Sequence, residues 1–310
     1  MENTKTKADQ ELQARVEEIL LAHGLDFTIE KLPMVAIKKD GENIEQIPSA
    51  YFGLINSKTG EVIHTVKAGY TVSQNHEVVE LVLRGIESFG DMLKVSKAGI
   101  LHGGRKVYIQ LQVEGYTNVG TDKIIRYITI IDSNDGSTGL SVGIGDVTLS
   151  CLNQFVRFYK KSDARFRHTA TIEQKLKTIP LLIETALRES KEQMEVYEQM
   201  YNAEITPTNI HEMVKEVLGY DRELTSMEVM ATKKTRSIAI MDELYNHISK
   251  EIAQKGMNCW GLHSGVTSYT THAKKHPKRE NGEIESLMIG GAYQMNQVSL
   301  NFAKRKLGIV

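Results

Sequence analysis

The segment between residues 155 and 168 combines cationic side chains with aromatic rings. The cations are Arg157, Lys160, Lys161, Arg165 and Arg167, followed by His168, and the rings are Phe155, Phe158, Tyr159 and Phe166. Cations neutralise phosphates, and aromatic faces stack on unpaired bases. The pattern therefore predicts a surface that binds single-stranded nucleic acid. The alternative is a solvated helix end, because aromatic residues at helical spacing usually pack into a core.

A pair of glycines precedes a strongly predicted strand, and two cations follow the pair. Gly103 and Gly104 allow a backbone to approach a phosphate closely, and Arg105 and Lys106 add positive charge. The spacing of a nucleotide-binding P-loop is absent, so a plain turn between two strands is the competing interpretation. Arg105 and Lys106 are counted among the candidate nucleic-acid contacts.

A second basic stretch lies towards the C-terminus. Its cations are Lys274, Lys275, Lys278 and Arg279. His263, His272 and His276 lie nearby, but no carboxylate accompanies them at metal-ligand spacing. We interpret the stretch as an exposed basic loop and a candidate second phosphate contact, and we expect no metal site.

Catalytic signatures are absent from the rest of the sequence. The turn Asp132–Gly136 is better explained by turn chemistry than by a calcium loop, which needs a bidentate glutamate further on. Cys151 has no histidine partner in the sequence and is interpreted as a buried structural thiol. We therefore predict a protein that is not an enzyme and that needs no cofactor. An enzyme using His102, His168 or Asp135 is the alternative.

The composition is that of an ordinary globular chain of 310 residues, with 41% hydrophobic and 25% charged residues. The formal net charge is -1 and the isoelectric point is about 6.8. Affinity for nucleic acid must therefore come from a local patch. The polar N-terminus does not resemble a signal peptide, and no apolar run is long enough to span a membrane. We expect a cytoplasmic location.

The first half of the chain changes between helical and strand periodicity. Residues 9–23 place apolar side chains on one helical face, and Gly24 ends that helix. A hairpin is predicted around residues 56–60, and a helix begins at Asn75, which we expect to cap it. Short β-type runs follow at residues 92–98, 106–113, 123–131 and 140–144. Tight turns between these runs favour antiparallel meander pairing.

Helical periodicity dominates after Val147. Helices are predicted for residues 147–160, 171–201, 225–255 and 283–306 and from Thr206 onward, with a glycine-containing loop after Lys255. The predicted fold class is α+β, an antiparallel β-sheet (a meander) flanked by helices, with a largely helical C-terminal part. The predicted divisions are an N-terminal helix (1–24), an α+β core domain (25–170) and a helical C-terminal region (171–310).

Six segments, in the same order, resemble motifs of one protein family. They are Tyr70–Asn75, Ala98–Arg105, Tyr127–Gly136, Val147–Phe155, Arg167–Thr169 and Cys259–His272. The family comprises phage- and plasmid-like proteins that carry domain of unknown function 932, and the resemblance extends over residues 50–305. It implies an origin in a phage, prophage or plasmid, and it implies no activity. The chain departs from the family at Asp146 or Val147, where the motif has an arginine.

The order of elements is also similar to that of phage single-strand annealing proteins of the Red beta and RecT kind, at the level of fold alone. Those proteins flank a compact antiparallel sheet with helices and assemble into rings or filaments. The similarity implies an ATP-independent, homo-oligomeric protein that binds and anneals single-stranded DNA in recombination. The alternative is a protein-binding module of a mobile element that engages or inhibits a host defence complex. Neither expectation includes a membrane partner.

Overall fold

The computed structural model describes residues 7–136, 139–158, 165–166, 178–219 and 235–309. The strands are β1 (Ile29–Asp40), β2 (Asn43–Asn56), β3 (Val62–Lys67), β4 (Leu93–Leu101), β5 (Lys106–Val113), β6 (Thr117–Val119), β7 (Asp122–Ser133), β8 (Leu140–Thr148), β9 (Gln154–Phe158) and β10 (Arg165–Phe166). The helices are α1 (Lys7–Ala22), α2 (Asn75–Glu87), α3 (Ile179–Asn202), α4 (Pro207–Val217), α5 (Thr235–Lys255), α6 (Cys259–His272), α7 (Gly282–Met288) and α8 (Gly291–Lys306).

Two antiparallel sheets form within the described residues. The first has three strands in the order β1-β2-β3. The second has seven strands: five follow the order β10-β8-β7-β5-β4, β6 pairs with β7, and β9 pairs with β8. The predicted α+β class, with antiparallel sheets and a helical C-terminal part, is confirmed. None of the helices in the described ranges combines the length and apolar character that a membrane span requires.

The chain divides into two compact units, each assembled from separate stretches of sequence. Unit 1 comprises Met1–Gln112, Ile128–Gly143 and Phe158–Ala186. Unit 2 comprises Val113–Tyr127, Ile144–Arg157 and Leu187–Val310. In unit 1, β1, β2 and β3 bury Phe27, Ile29, Leu54, Ile63 and Val66. In unit 2, helices α3 to α6 and α8 share a large apolar core that includes Tyr197, Trp260 and Val266.

Helix α2 begins at the predicted place, but Asn75 does not cap it. The cap position is Gln74, whose backbone N–H donates to the carboxylate of Glu77 at 2.9 Å. The side-chain amide of Asn75 is buried and donates to the carbonyl oxygens of Leu25 (3.0 Å) and Phe27 (3.2 Å). Asn75 therefore holds the chain that enters β1, and the expected capping role was wrong.

The predicted helix over residues 147–160 is also wrong for its described part, which forms a β-hairpin. β8 continues to Thr148, a turn follows, and β9 begins at Gln154. The turn is closed by two bonds, from Leu152 N–H to Thr148 oxygen (2.7 Å) and from Thr148 N–H to Asn153 oxygen (3.1 Å). Leu152 takes φ +54°. Closely spaced apolar residues here satisfy strand alternation as well as helical spacing, so periodicity alone could not decide.

Helix α6 occupies the stretch that the sequence predicted as a glycine-containing loop. A Cβ atom on Gly265 would lie 2.4 Å from the Cα of Ile248 on α5, and one on Gly261 would lie 2.6 Å from the oxygen of Gly256. These glycines let α6 pack closely against α5. The predicted last helix is divided into α7 and α8. The predicted starts at residues 171 and 225 lie outside the described residues.

Gly265→Ala tests the close approach of α6 to α5. The added methyl group would overlap the backbone of α5, so we expect a loss of about 1–3 kcal/mol in the free energy of unfolding. Urea denaturation followed by the fluorescence of the single tryptophan, Trp260, measures this loss. Gly69→Ala is the control, since a Cβ atom there meets nothing within 4 Å. Equal stability of the two variants would contradict the packing argument.

Candidate functional site

Lys255, the last residue of α5, lies at the centre of a buried group of charges, here called the ion group. Its ammonium is 2.6 Å from Asp122 and 3.0 Å from Glu251, and none of the three side chains is more than 7% exposed. Burial acts to lower the pKa of Lys255, but the bond to Asp122 and the charge of Glu251 raise it above the ordinary value. The geometry and the raised pKa both favour a charged Lys255 between the two carboxylates.

Neutral donors add bonds to both carboxylates, and Trp260 shares the Asp122 oxygen that Lys255 contacts. Trp260 Nε1–H donates to Asp122 at 2.8 Å, and the hydroxyl of Ser150 donates to the second oxygen of Asp122 at 3.0 Å. The side-chain amide of Asn153 donates to Glu251 at 3.2 Å. A buried ion group is stable only when such bonds complete it, because desolvation of the charges is costly.

Four elements bring the ion group together. Asp122 is the first residue of β7, and the turn between β8 and β9 carries the hydroxyl and amide donors. Glu251 and Lys255 lie one helical turn apart on α5, where side chains four residues apart are neighbours. Trp260 lies in the first turn of α6. All of these residues belong to unit 2.

Cys151 lies beside the ion group but is not activated as a nucleophile. Its Sγ is 3.8 Å from Lys255 Nζ. Burial raises the pKa of the Cys151 thiol, and the nearby charge of Lys255 offsets this only in part. The ring Nε2 of His272 is 2.8 Å from the carbonyl oxygen of Cys151 and 3.2 Å from the side-chain oxygen of Asn153. The histidine therefore fixes the backbone of the turn. The thiol is half-buried, where the sequence predicted a buried one.

The ion group is the meeting point of two segments that the sequence singled out separately. Val147–Phe155 supplies the turn, and Cys259–His272 supplies the tryptophan and the histidine. Sequence reasoning missed Asp122, Glu251 and Lys255. A glutamate four residues before a lysine is common on solvated helix faces, so that spacing carried no sign of burial.

Two more titratable groups are buried in unit 2. Asp146 accepts a bond from the hydroxyl of Tyr197 at 3.0 Å, and burial raises its pKa to about 7 although Tyr197 and Arg126 act in the opposite direction. Burial lowers the pKa of His263 to about 3, and its Nδ1 lies 2.6 Å from the hydroxyl of Ser299. His263 is therefore neutral at pH 7.

The predicted glycine turn before β5 is present in unit 1. Positive φ values occur at His102 (53°), Gly103 (67°) and Gly104 (88°). Arg105 is exposed, and its carbonyl oxygen accepts a bond from the backbone of Asn134 at 2.9 Å. Lys106 is 6% exposed, and its ammonium lies 3.7 Å from Asp135. The charge of Lys106 therefore faces a carboxylate inside the protein, whereas Arg105 is open to a ligand.

Tyr70 joins a third segment to the same acidic turn. Its hydroxyl donates to the carbonyl oxygen of Ser133 (3.4 Å) and to the side-chain oxygen of Asn134 (3.3 Å). Burial, followed by the charges of Asp132 and Asp135, raises the pKa of Tyr70 well above its usual value. The segments beginning at residues 70, 98 and 127 thus meet at one turn, where they satisfy buried polar groups.

The basic and aromatic segment is described at its two ends. Arg157 and Phe158 lie on β9, Arg165 and Phe166 lie on β10, and both strands pair with β8. In this register Arg165 is opposite Ser141 and Phe166 is opposite Leu140. Phe155 is buried. The predicted contacts Tyr159, Lys160, Lys161, Arg167 and His168 lie outside the described residues.

The second basic stretch connects α6 to α7. Lys275 and Lys278 are exposed, and Lys274 is half-buried. Arg279 is exposed, and its Nε–H donates to Glu285 at 3.0 Å. Lys275 and Lys278 are therefore the most accessible cations of this stretch.

A family model described as "Domain of unknown function (DUF932)" matches residues 62–288. No curated protein and no solved structure matches the chain. The matched range contains the ion group and the turn around Lys106. It also contains the segment from β9 to β10.

Lys255→Met would leave Asp122 and Glu251 buried without their cation. We expect the free energy of unfolding at pH 7 to fall by about 3–5 kcal/mol, the usual cost of breaking a buried ion pair. Lys250→Met, at an exposed position of the same helix, is the matched control and should cost less than about 1 kcal/mol. Urea titrations of both variants measure the difference, and equal costs would contradict a stabilising ion group.

Asp146→Asn tests the raised pKa of the buried carboxyl group. The ordinary pKa of an aspartic acid side chain is 3.8, and burial raises the pKa of Asp146 to about 7 in the folded protein. Between pH 3.8 and about 7 the side chain of Asp146 is protonated in the folded protein but ionised in the unfolded chain. The contribution of this group to the free energy of unfolding therefore falls as pH rises through this range. The amide side chain of the variant does not titrate, so its stability lacks this pH dependence. We therefore expect the stability of the variant relative to the parent protein to increase from pH 4.5 to pH 7.5. Urea titrations at the two pH values test this, and parallel pH profiles would refute it.

Proposed function

The chain belongs to the family of Domain of unknown function (DUF932), and we propose that it is a single-stranded DNA-binding and annealing protein that acts as an ATP-independent homo-oligomer. The observation that carries this proposal is the pairing of both β9 and β10 with β8. The basic and aromatic segment therefore begins and ends on strands that pair with the same strand, β8. Two cations flank this segment, Arg157 on β9 and Arg165 on β10.

Phosphates and bases have separate partners in this proposal. The phosphate contacts are Arg157, Lys160, Lys161, Arg165 and Arg167, with His168 beside them. The base-stacking residues are Phe158, Tyr159 and Phe166. Stacking on rings tolerates any base sequence, and annealing of arbitrary complementary strands requires that tolerance.

The glycine turn contributes through Arg105, which is exposed. Lys106 is buried against Asp135, so we assign it the role of holding the turn rather than of touching DNA. In the second basic stretch the exposed residues Lys275 and Lys278 are the leading phosphate contacts.

The near-neutral net charge of -1 fits local binding through a few contacts in each copy. Each phosphate contact releases a counterion, so affinity falls steeply as salt rises. Assembly of several copies would add such contacts along one DNA strand. The similarity in element order to Red beta and RecT supports this activity, and the bacterial cytoplasm is the compartment in which it would act.

A second candidate function is a protein-binding module that engages or inhibits a host defence complex. The observation that favours it is an exposed apolar region on β1 and β2. Val35 is 46% exposed, Ile37 60% and Ile44 63%. A pull-down from nuclease-treated host lysate distinguishes the two functions. A stoichiometric host protein that survives nuclease would favour this second candidate.

Charge reversal at Arg165 and Arg167 tests the DNA-binding proposal. We expect the parent protein to bind a short single-stranded oligonucleotide at low salt, and the double variant Arg165→Glu, Arg167→Glu to bind it at least about tenfold more weakly. The slope of log affinity against log salt should also decrease by about two, one for each lost phosphate contact. Fluorescence anisotropy with a labelled oligonucleotide measures both quantities, and light scattering records the mass of the complex.

The matched control is Arg15→Glu, Lys97→Glu, which makes the same change in net charge at exposed positions on α1 and β4. This control should bind as the parent protein does. Equal binding by both double variants would remove the segment from β9 to β10 as the binding surface. Affinity that does not change with salt would refute nucleic-acid binding through phosphates.

A further inference from the structure

The outer part of the β1–β2 hairpin, residues 34–49, is called the arm here. β3 pairs with β2 only over Tyr51–Ile55, so among the described residues the arm is a ribbon of two strands without a third. Its strands are joined by a tight turn in which Gly41 takes φ +60°. Two strands alone are marginally stable in water unless one face is covered.

One face of the arm is apolar. Residues directly opposite one another in an antiparallel pair share a face. The register pairs Val35 with Pro48, Ile37 with Gln46 and Lys39 with Ile44, and these pairs alternate onto the same side of the ribbon. The four apolar members of this face, Val35, Ile37, Ile44 and Pro48, are all exposed.

The other face of the arm is more polar. Lys38 is opposite Glu45, with 3.7 Å between the ammonium and the carboxylate, and Asp40 is opposite Asn43. This face also carries the pair Ala36–Ile47, and Ile47 is 43% exposed, so the arm is an amphipathic ribbon whose second face is less apolar than the first. Its apolar face would be more stable if another apolar surface packed against it.

The apolar face of the arm continues a face that is buried at the base of the hairpin. The register shifts between Pro33 and Val35, but alternate residues of β1 keep Ile29 and Lys31 on the side of Val35 and Ile37. Ile29 and Leu54, the partner of Lys31, belong to the core of the three-stranded sheet. The same sheet face is therefore covered at one end and open at the other.

We infer that the apolar face of the arm packs against the same face of a second copy of this chain. Lys39 is the one charged side chain on that face of the described arm, which therefore offers little to a polyanion or a charged peptide. In a two-fold pair each copy would place the apolar side chains of this face against those of the other, as an interface between identical surfaces requires. Pairing through the free edge of β1 is opposed by Pro33, which lacks an N–H, and by Lys38 and Lys39.

The size of the face sets the strength of this contact. Four exposed side chains present on the order of 300 Å² of apolar surface, the scale of a functional patch. Two faces together bury roughly half of the 1,200 Å² that marks the lower end of stable interfaces. The contact alone is therefore weak and depends on concentration. The role of this contact as an interface between copies in the DNA-binding oligomer rests on the proposed function. The self-association itself can be measured without DNA.

Sedimentation velocity of the full chain without nucleic acid, over a wide concentration range, tests the contact. We expect the mass of the parent protein to rise with concentration and that of Ile37→Glu, Ile44→Glu to stay monomeric. Both new carboxylates would lie near Lys39, so the ribbon itself is expected to persist. The control Ala36→Lys, Asn43→Lys places two charges on the opposite face, beside Glu45 and Asp40, and should associate as the parent does. Identical behaviour of both variants and the parent would overturn the inference.

Cross-linking gives a second test that adds no charge. Ile44→Cys should form a disulfide-linked dimer under mild oxidation much faster than Asn43→Cys, which lies on the other face. The parent protein reports any linkage through Cys151. Equal rates for the two variants would overturn the inference, and so would a monomeric chain that captures a host protein through Ile37 and Ile44. A parent protein that binds the oligonucleotide but does not self-associate through the arm would refute only the arm contact. A parent protein that self-associates through the arm but does not bind the oligonucleotide would refute only the DNA-binding proposal.

Discussion

The ion group around Lys255 is the constraint on which unit 2 depends. It joins the start of β7, the β8–β9 turn, the end of α5 and the start of α6, which are distant in sequence. Apolar side chains tolerate several packings of similar density. A cation between two carboxylates tolerates few packings, because a buried charge that loses a partner has no compensation for its desolvation. We infer that the ion group favours one arrangement of these elements over others that the apolar core alone would allow.

The turn around Asn134 has a comparable role in unit 1. Tyr70, Arg105 and Asn134 exchange bonds there, and Lys106 meets Asp135. At both places the segments that resemble the family motifs satisfy buried polar groups. The resemblance therefore reports the framework of the fold. The apolar face of the arm lies outside the segments that resemble the family motifs.

Sequence patterns predicted the elements in which one period was unambiguous. β5 alternates clearly, β7 is rich in isoleucine, and α2 and α4 have clear starts, so these were found. The hairpin at Thr148 was missed because its apolar spacing suits both periods. Local pattern missed α6, because glycines that permit close packing look like loop residues, although the family motif that Cys259–His272 resembles is a helix. Of the ion group, the resemblance indicated Asn153 and Trp260, but no local pattern reveals that distant charges will meet in a core.

Each of the two units is assembled from three separate stretches of the chain, and this affects how the gene can recombine. β7 and β8 each contain residues of both units, so no single break in the polypeptide releases either unit intact. Genetic exchange between relatives that falls between these strands would combine incomplete halves of two cores. The chain is therefore expected to pass between genomes as one block, and chimaeric relatives should have their junctions near its ends.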